Sequence, residues 1–267
     1  MGTLGLGPVG VALNVSESYL AEAAEAERLG YSAIWLPGGQ LDELGRLADL
    51  VQATTAVPVG ASIISPDVYP AEAVSALYRR LEACAPGRFI PGLGGSQQPR
   101  SLAALRAYLD QLDQAGPPVP AGRRLLAALG PRKLELARDR CAGAIVLLVT
   151  LAYLAEARRI LGAQATLVVD QMLVLDTDPG RARETARRPL RFLAGLPGYQ
   201  ASFARMGLDA ADTDRLADEL IFWGDPGTVA ARIGQLHEAG ADHVILHVLS
   251  EGGQPGPIEA ARALAGR

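Results

Sequence analysis

Two segments of this sequence are best suited to hold a ligand: Arg88–Arg100, RFIPGLGGSQQPR, and ALGPRK at 128–133. Each runs from an apolar stretch into glycine and on toward a helical pattern. Main-chain N–H groups at a helix N-terminus, helped by the helix dipole, attract phosphate. Pro131 suits a first helical position, where its missing N–H costs nothing. Gly92, Gly94, Gly95 and Gly130 allow close approach to the main chain, but they serve an ordinary tight turn equally well. The spacing supports both readings. Acid–base chemistry has few candidates among three histidines. His237 falls in a helical pattern and reads as solvent-facing. His243 opens an apolar strand and reads as structural. His247 closes that strand, where loops gather. Asp170 ends another apolar run, either facing inward or as a polar strand end. A serine nucleophile needs a G-x-S-x-G elbow, and GGSQQ lacks the second glycine. With no clustered carboxylates and no C-x-x-C, no metal site is expected.

The elements that must position these residues repeat one junction: amphipathic helix, glycine, short apolar strand. It appears in AERLGYSAIWLP, LEACAPGRFIPGLG, ARDRCAGAIVLLV, RRILGAQATLVVD and LHEAGADHVILHV. Strands apolar throughout are buried on both faces, as parallel strands are. The reading gives strands at Val9–Asn14, Ala33–Leu36, Val57–Ile64, Phe89–Leu93, Leu125–Leu129, Ala144–Val149, Leu167–Val174 and His243–Leu249. Helices separate them, and 179–240 has room for two or three. Eight β/α units in about 250 residues make an α/β chain folded as a (β/α)8 TIM barrel, here one domain over residues 1–267. A doubly wound sheet would want G-x-G-x-x-G after the first strand, and VALNVSESY has none. The stretch DQAGPPVPAGRR reads as a surface loop. In such a barrel the C-terminal strand ends carry the site. They offer Asn14, Ser16, Pro37, Gly38, Gly39, Gln40, Ser62, Ser65, Gly94–Gln97, the ALGPRK turn, Thr150, Asp170, Gln171, His247 and Ser250.

The balance of 25 basic and 29 acidic residues, with no basic stripe, excludes a nucleic-acid partner. Arg181, Arg183, Arg187, Arg188 and Arg191 read as the wet face of one helix. Cys84 and Cys141 read as two buried, reduced thiols. The longest apolar run, AIVLLVTLAYLAEA, is too short to span a bilayer, and the N-terminus shows no secretory pattern. A cytoplasmic protein is expected.

The sequence resembles the bacterial-luciferase-like family, in particular its branch of oxidoreductases dependent on the deazaflavin F420. The resemblance runs through ERLGYSAIWLP, PVGASII, CAPGRFIPGLGGS, LAALGPRKLELARDRCAGA, VLDTDPGRARETAR, FWGDPGTVAARI and EAGADHVILHV. It implies a barrel that holds F420 or FMN at the C-terminal rim, a small-molecule substrate and a homodimer. Residue by residue, GASI implies a bulge with a cis or distorted peptide between Ser62 and Ile63, supporting the deazaflavin ring beside Asn14. Gly94, Gly95 and Ser96 are implied near the ribityl-phosphate, and Leu129, Gly130, Pro131 and Arg132 in the phosphate-facing turn.

The departures define the expected chemistry. PGGQ stands where relatives carry histidine or an acid, and Gln97 where they carry histidine or glutamate. GAIVLLVTLAY stands where they read GAHPYLVTPEH. The rim becomes apolar, with Ser62, Gln97 and His247 as its polar groups and His247 as the proton donor. Three readings follow: an F420-dependent hydride transfer to or from a small, mostly apolar substrate; an FMN-dependent monooxygenase; and a diverged member with no redox cofactor that binds or rearranges an apolar metabolite.

Overall fold

The computed structural model describes residues 4–95, 101–251 and 253–266. Eight parallel strands close into a barrel: β1 (Val9–Ala12), β2 (Ile34–Pro37), β3 (Val59–Ile64), β4 (Phe89–Leu93), β5 (Leu125–Ala127), β6 (Gly143–Leu147), β7 (Thr166–Val174) and, after a two-residue β8 (Phe222–Trp223), β9 (His243–Val248). Neighbours pair in sequence order from β1 to β7, then β7 with β9 and β9 with β1. This is the (β/α)8 barrel expected, with strand ends within two residues of expectation. β8 is the addition: Leu173 pairs with both Val248 of β9 and Phe222 of β8. The short strand therefore takes the edge of β7 that β6 leaves free beyond Leu147 and Asp170.

The outer helices are α1 (Tyr19–Arg28), α2 (Gly45–Ala53), α3 (Ala71–Cys84), α4 (Ser101–Gln114), α5 (Pro131–Arg140) and α6 (Leu151–Leu161). They are followed by α7 (Pro179–Ala194), α8 (Pro197–Arg205), α9 (Thr213–Leu220), α10 (Pro226–Glu238) and α11 (Pro257–Leu264). Thus 179–240 holds four helices where two or three were expected. The DPG sequences open two of them alike. Asp178 and Asp225 each cap a helix by accepting the N–H three residues on, at 2.8 Å, with proline at the first helical position.

Side chains alternate along each strand, so one face fills the barrel and the other meets the helices. The barrel interior is a separate cluster of Ala12, Ala33, Trp35, Ile90, Leu125, Ile145, Val168 and Ile245. Gly60 leaves room for Trp35: a Cβ there would lie 2.4 Å from the indole ring. Buried Trp35 donates its indole N–H to His243 Nε2 at 2.9 Å, and His243 Nδ1–H donates to the Gly7 carbonyl at 2.6 Å. His243 is therefore a structural plug, as expected, and burial pulls its pKa down to about 4. Its folded value lies below the usual 6.5, so its contribution is complete above about 6.5 and is lost as pH falls toward about 4. We expect unfolding free energy to fall with acidification between pH 6 and 4.5. In His243→Gln the slope should be shallower by about 1 kcal/mol per pH unit, as measured by denaturant titration at each pH. Equal slopes in the two proteins would contradict the neutral plug.

The start of β5 is fixed by Arg124, fully buried. Its guanidinium donates to the carbonyls of Val119 and Arg140 and pairs with Asp113 at 2.7 Å. Arg124→Met should destabilise the chain by about 2–4 kcal/mol, because buried carbonyls lose their donor. Chemical denaturation reads this directly, and a loss below 1 kcal/mol would show that water replaces the guanidinium.

Several sequence expectations change. Cys84, the last residue of α3, is exposed; only Cys141 is buried. His237 is half-buried, with Nδ1 3.0 Å from the Ala241 carbonyl and Nε2 buried without a partner among the described residues. Gln171 does not face the rim. It lies on the outer face of β7 and donates to the Leu220 carbonyl at 3.0 Å. The α7 arginines are a solvated face, held by pairs such as Arg183–Asp218 at 2.8 Å.

Candidate active site

Asp170 and His247 come together at the upper end of the barrel interior. Asp170 shares the inward face of β7 with Val168, and His247 that of β9 with His243 and Ile245. The register places Asp170 beside Ile245 and Met172 beside His247, so a carboxylate and an imidazole meet across one strand pair. His247 Nδ1 lies 2.9 Å from Asp170 Oδ1. Asp170 is 3% exposed and the imidazole 17%. The Nδ1–H donation fixes the tautomer and leaves Nε2 to act. Nε2 makes no hydrogen bond among the described residues. Burial disfavours the imidazolium, but the charge and hydrogen bond of Asp170 outweigh it, and the pKa is raised. Such a dyad favours the proton on Nε2 and lets it be given up. Asp170 is thus an inward residue. Among the described residues, no group of three or more His, Cys, Asp or Glu is placed to hold a metal ion.

On the other side of the rim, the β3–β4 register shifts between Ala61 and Ile64, and the Ser62–Ile63 peptide is cis, as the resemblance implied. Ser62 Oγ is buried with no hydrogen-bond partner among the described residues. Half-buried Asn14 continues the inward face of Gly10 and Ala12. Gly94 and Gly95 have φ of 147° and 79°, a region that favours glycine. A Cβ on Gly94 would lie 2.6 Å from Ala127 Cβ, and one on Gly95 2.6 Å from Ile63 Cδ1. The glycine run therefore serves both a turn and a close approach, and the approach is to the barrel's own wall. Ser96 and Gln97 lie outside the described residues.

The ALGPRK turn forms the N-terminus of α5, with Gly130 as N-cap and Pro131 first in the helix. The Leu129 carbonyl accepts from Tyr153 Oη at 3.1 Å and from Arg205 Nη1 at 2.7 Å. Lys133 is half-buried, its pKa lowered by burial, and has no ion-pair partner among the described residues. Arg132 is exposed. Arg205 thus meets the first turn of α5, which carries Arg132 and Lys133. The sequence reading missed Arg205, because the helix that brings it there is remote in the chain.

That helix is part of a cap. A second apolar cluster joins α7, α8 and α9 to Leu148, Met172 and Val174 at the upper ends of β6 and β7, with Leu147, Leu249, Tyr199 and Met206 packed against it. Thr150, which caps α6, sends its own N–H to Met206 Sδ at 3.4 Å. Tyr199, half-buried in the first turn of α8, has its pKa raised by packing and by the charge of Asp170. No sequence pattern singled it out.

No family model matches the chain, and no curated protein matches it. Solved structures do. An F420-dependent secondary alcohol dehydrogenase, solved with an F420–acetone adduct, is 16% identical over 97% of both chains, with a TM-score of 0.74. The oxygenating constituent of 3,6-diketocamphane monooxygenase from Pseudomonas putida, solved with FMN, is 13% identical over 97% of this chain and 98% of that one, with a TM-score of 0.68. The chain shares their fold. A coenzyme F420-dependent tetrahydromethanopterin reductase from Methanopyrus kandleri is also similar, at 16% identity over 99% and 98% of the two chains and a TM-score of 0.65. The barrel architecture that the resemblance implied is thus borne out. No helix among the described residues is long and apolar enough to cross a membrane.

Proposed function

We propose that this chain is an F420-dependent oxidoreductase of the luciferase-like type, acting at the barrel mouth on a small, mostly apolar organic substrate. The observation that carries the reading is the Asp170–His247 dyad, whose Nε2 has no hydrogen-bond partner among the described residues. The residues present suit a deazaflavin. Ser62 Oγ is a buried hydroxyl on the bulged strand without a partner among the described residues, and Lys133, with no ion-pair partner among them, Arg205 and the α5 N-terminus suit a phosphate. Asn14, Ser62 and Ile63 would support the ring. Gly94, Gly95 and Ser96 would lie along the ribityl-phosphate, and Leu129, Gly130, Pro131 and Arg132 at its end. The cofactor, when bound, supplies or accepts a hydride at C5.

The chain's own residues do the rest. His247 Nε2 gives its proton to the substrate oxygen in reduction and takes it back in oxidation, while Asp170 holds the imidazole and balances its charge. The α7–α9 cap and the apolar rim exclude water, which hydride chemistry requires more than it requires a strong acid. Gln97, beyond the described residues, would contribute a neutral hydrogen bond. Fluorescence titration of the purified chain with F420 and with FMN tests the reading. Saturable quenching by F420 at micromolar or lower concentration is expected. Preference for FMN would favour the monooxygenase reading, and no saturable change with either would overturn both.

A further inference from the structure

We propose that Leu148 is a positioning residue for the Asp170–His247 pair: its left-handed backbone ends β6 so that Leu147 is held beside Asp170 as an apolar wall and Val149 is turned away from the mouth. The proposal rests on the reading of that pair as the reacting groups. Leu148 has φ of 54° and is the one non-glycine residue with positive φ among the described residues. In this region a side chain's Cβ crowds the following carbonyl, and a bulky residue is an outlier there. Glycine would take the same conformation freely. Leu148 is nevertheless 3% exposed, and its side chain joins the cap cluster with Met172, Phe203 and Leu216. A conformation of this kind persists only where its surroundings over-determine it, and such residues gather at functional sites.

The consequence is a change of phase at the end of the strand. Side chains along β6 alternate: Ala144 and Val146 belong to the outer core, Ile145 to the barrel interior. Continued regularly, Leu148 would face the outer core and Val149 the mouth. Instead Leu148 enters the cap cluster, and Val149 lies in the outer core, 5% exposed. Half-buried Leu147 is thereby the last inward side chain of β6, and the register sets it beside Asp170. It also packs against the cap cluster, which Met172, the register partner of His247, joins from β7. The pair thus has Leu147 at its side, with Leu148 and Met172 tied into the cap above. Water kept from this place competes less for either partner of the Asp170–His247 hydrogen bond. The turn is tied at both ends. Leu147 pairs with β7, and Thr150, two residues beyond Leu148, caps α6 and gives its N–H to Met206 Sδ at 3.4 Å.

The test follows two imidazole protons on one strand, in the full chain without added cofactor. His247 Nδ1–H donates to Asp170 at the upper end of β9, and His243 Nδ1–H to the Gly7 carbonyl at the lower end. With isotope-labelled histidine each gives an NMR resonance whose exchange with water is read by saturation transfer, and His247→Asn and His243→Gln assign the two. Leu148→Gly relaxes the backbone and removes the side chain from the cap. It is expected to speed exchange at His247 by roughly tenfold or more, a local opening, while His243 keeps its wild-type rate. Leu148→Ala, a milder truncation, should act in the same direction and replaces the glycine variant if that does not fold. Wild-type exchange at His247 in the folded variants overturns the proposal. So does equal acceleration at His243, which would show a general loosening of the barrel. Because no cofactor is present, failure of the F420 and FMN titrations would remove the oxidoreductase reading and leave this result intact.

Discussion

His247→Asn is expected to slow turnover by about 10²–10⁴-fold, the range that general acid–base catalysis supplies, while cofactor affinity stays at the wild-type value. Asparagine keeps an N–H donor for Asp170, so the carboxylate is not left bare, but it offers no titrating proton where Nε2 stood. Asp170→Asn is the companion experiment. The charge of Asp170 is what lifts the imidazole above its usual value against the pull of burial. With that charge gone, burial acts alone and the pKa falls, so the pH limb due to His247 should move to lower pH. Tyr199 is the other titratable group that feels Asp170, and its hydroxyl remains protonated throughout this range. The same pair affects stability. A raised pKa contributes stability that is complete below about 6.5 and is lost as pH rises through the folded value, and Asp170→Asn, by letting burial lower the pKa, should reverse the sign of that dependence. Wild-type turnover in His247→Asn would leave the mouth without an acid and favour a reading without redox chemistry.

The barrel was legible because its signal repeats. Glycine-terminated helices followed by wholly apolar strands can pack only as β/α units, and their number set the closure. What stayed hidden depends on side-chain phase or on contacts between remote segments. Strand side chains alternate, so a one-residue error reverses a side chain; Gln171 was placed at the rim when Asp170, its neighbour, takes the inward face. The Asp170–His247 pair follows from β7 lying against β9, a pairing made across four intervening helices. Cys84 and His237 were misjudged by helical phase. β8, two residues long, has no periodicity to read. Ser62–Ile63 was reached through family resemblance, since nothing in the residue types of GASI requires a cis bond. The α8 cap had no signature, because nothing local says that a helix folds back over the strand ends, and Arg205 and Tyr199 were missed with it.

Gly130→Asp should weaken F420 binding by about 10–100-fold without destabilising the chain. Gly130 is the N-cap of α5 with φ of −154°, extended backbone that any residue adopts. A Cβ there would lie 3.1 Å from Arg205 Nη2, the far end of a flexible side chain. Aspartate is a better N-cap than glycine by a few tenths of a kcal/mol, so the melting temperature should hold or rise slightly. The new carboxylate would accept the α5 amides and draw in Arg205. Those are the groups proposed to meet the cofactor phosphate, and the carboxylate would also repel that phosphate directly. Losing one charge-assisted hydrogen bond, worth about 1.5–3 kcal/mol, sets the expected range. Lys133→Gln provides the independent check. Lys133 has no carboxylate partner among the described residues to leave stranded, so the substitution should be neutral or stabilising for the fold while reducing affinity about tenfold. Stability and affinity thus move in opposite directions at this turn, as expected of groups kept for a ligand at some expense to the fold. A folded Gly130→Asp protein with unchanged F420 affinity would remove the α5 turn from the binding site. The phosphate would then have to be sought at the other helix N-termini of the rim.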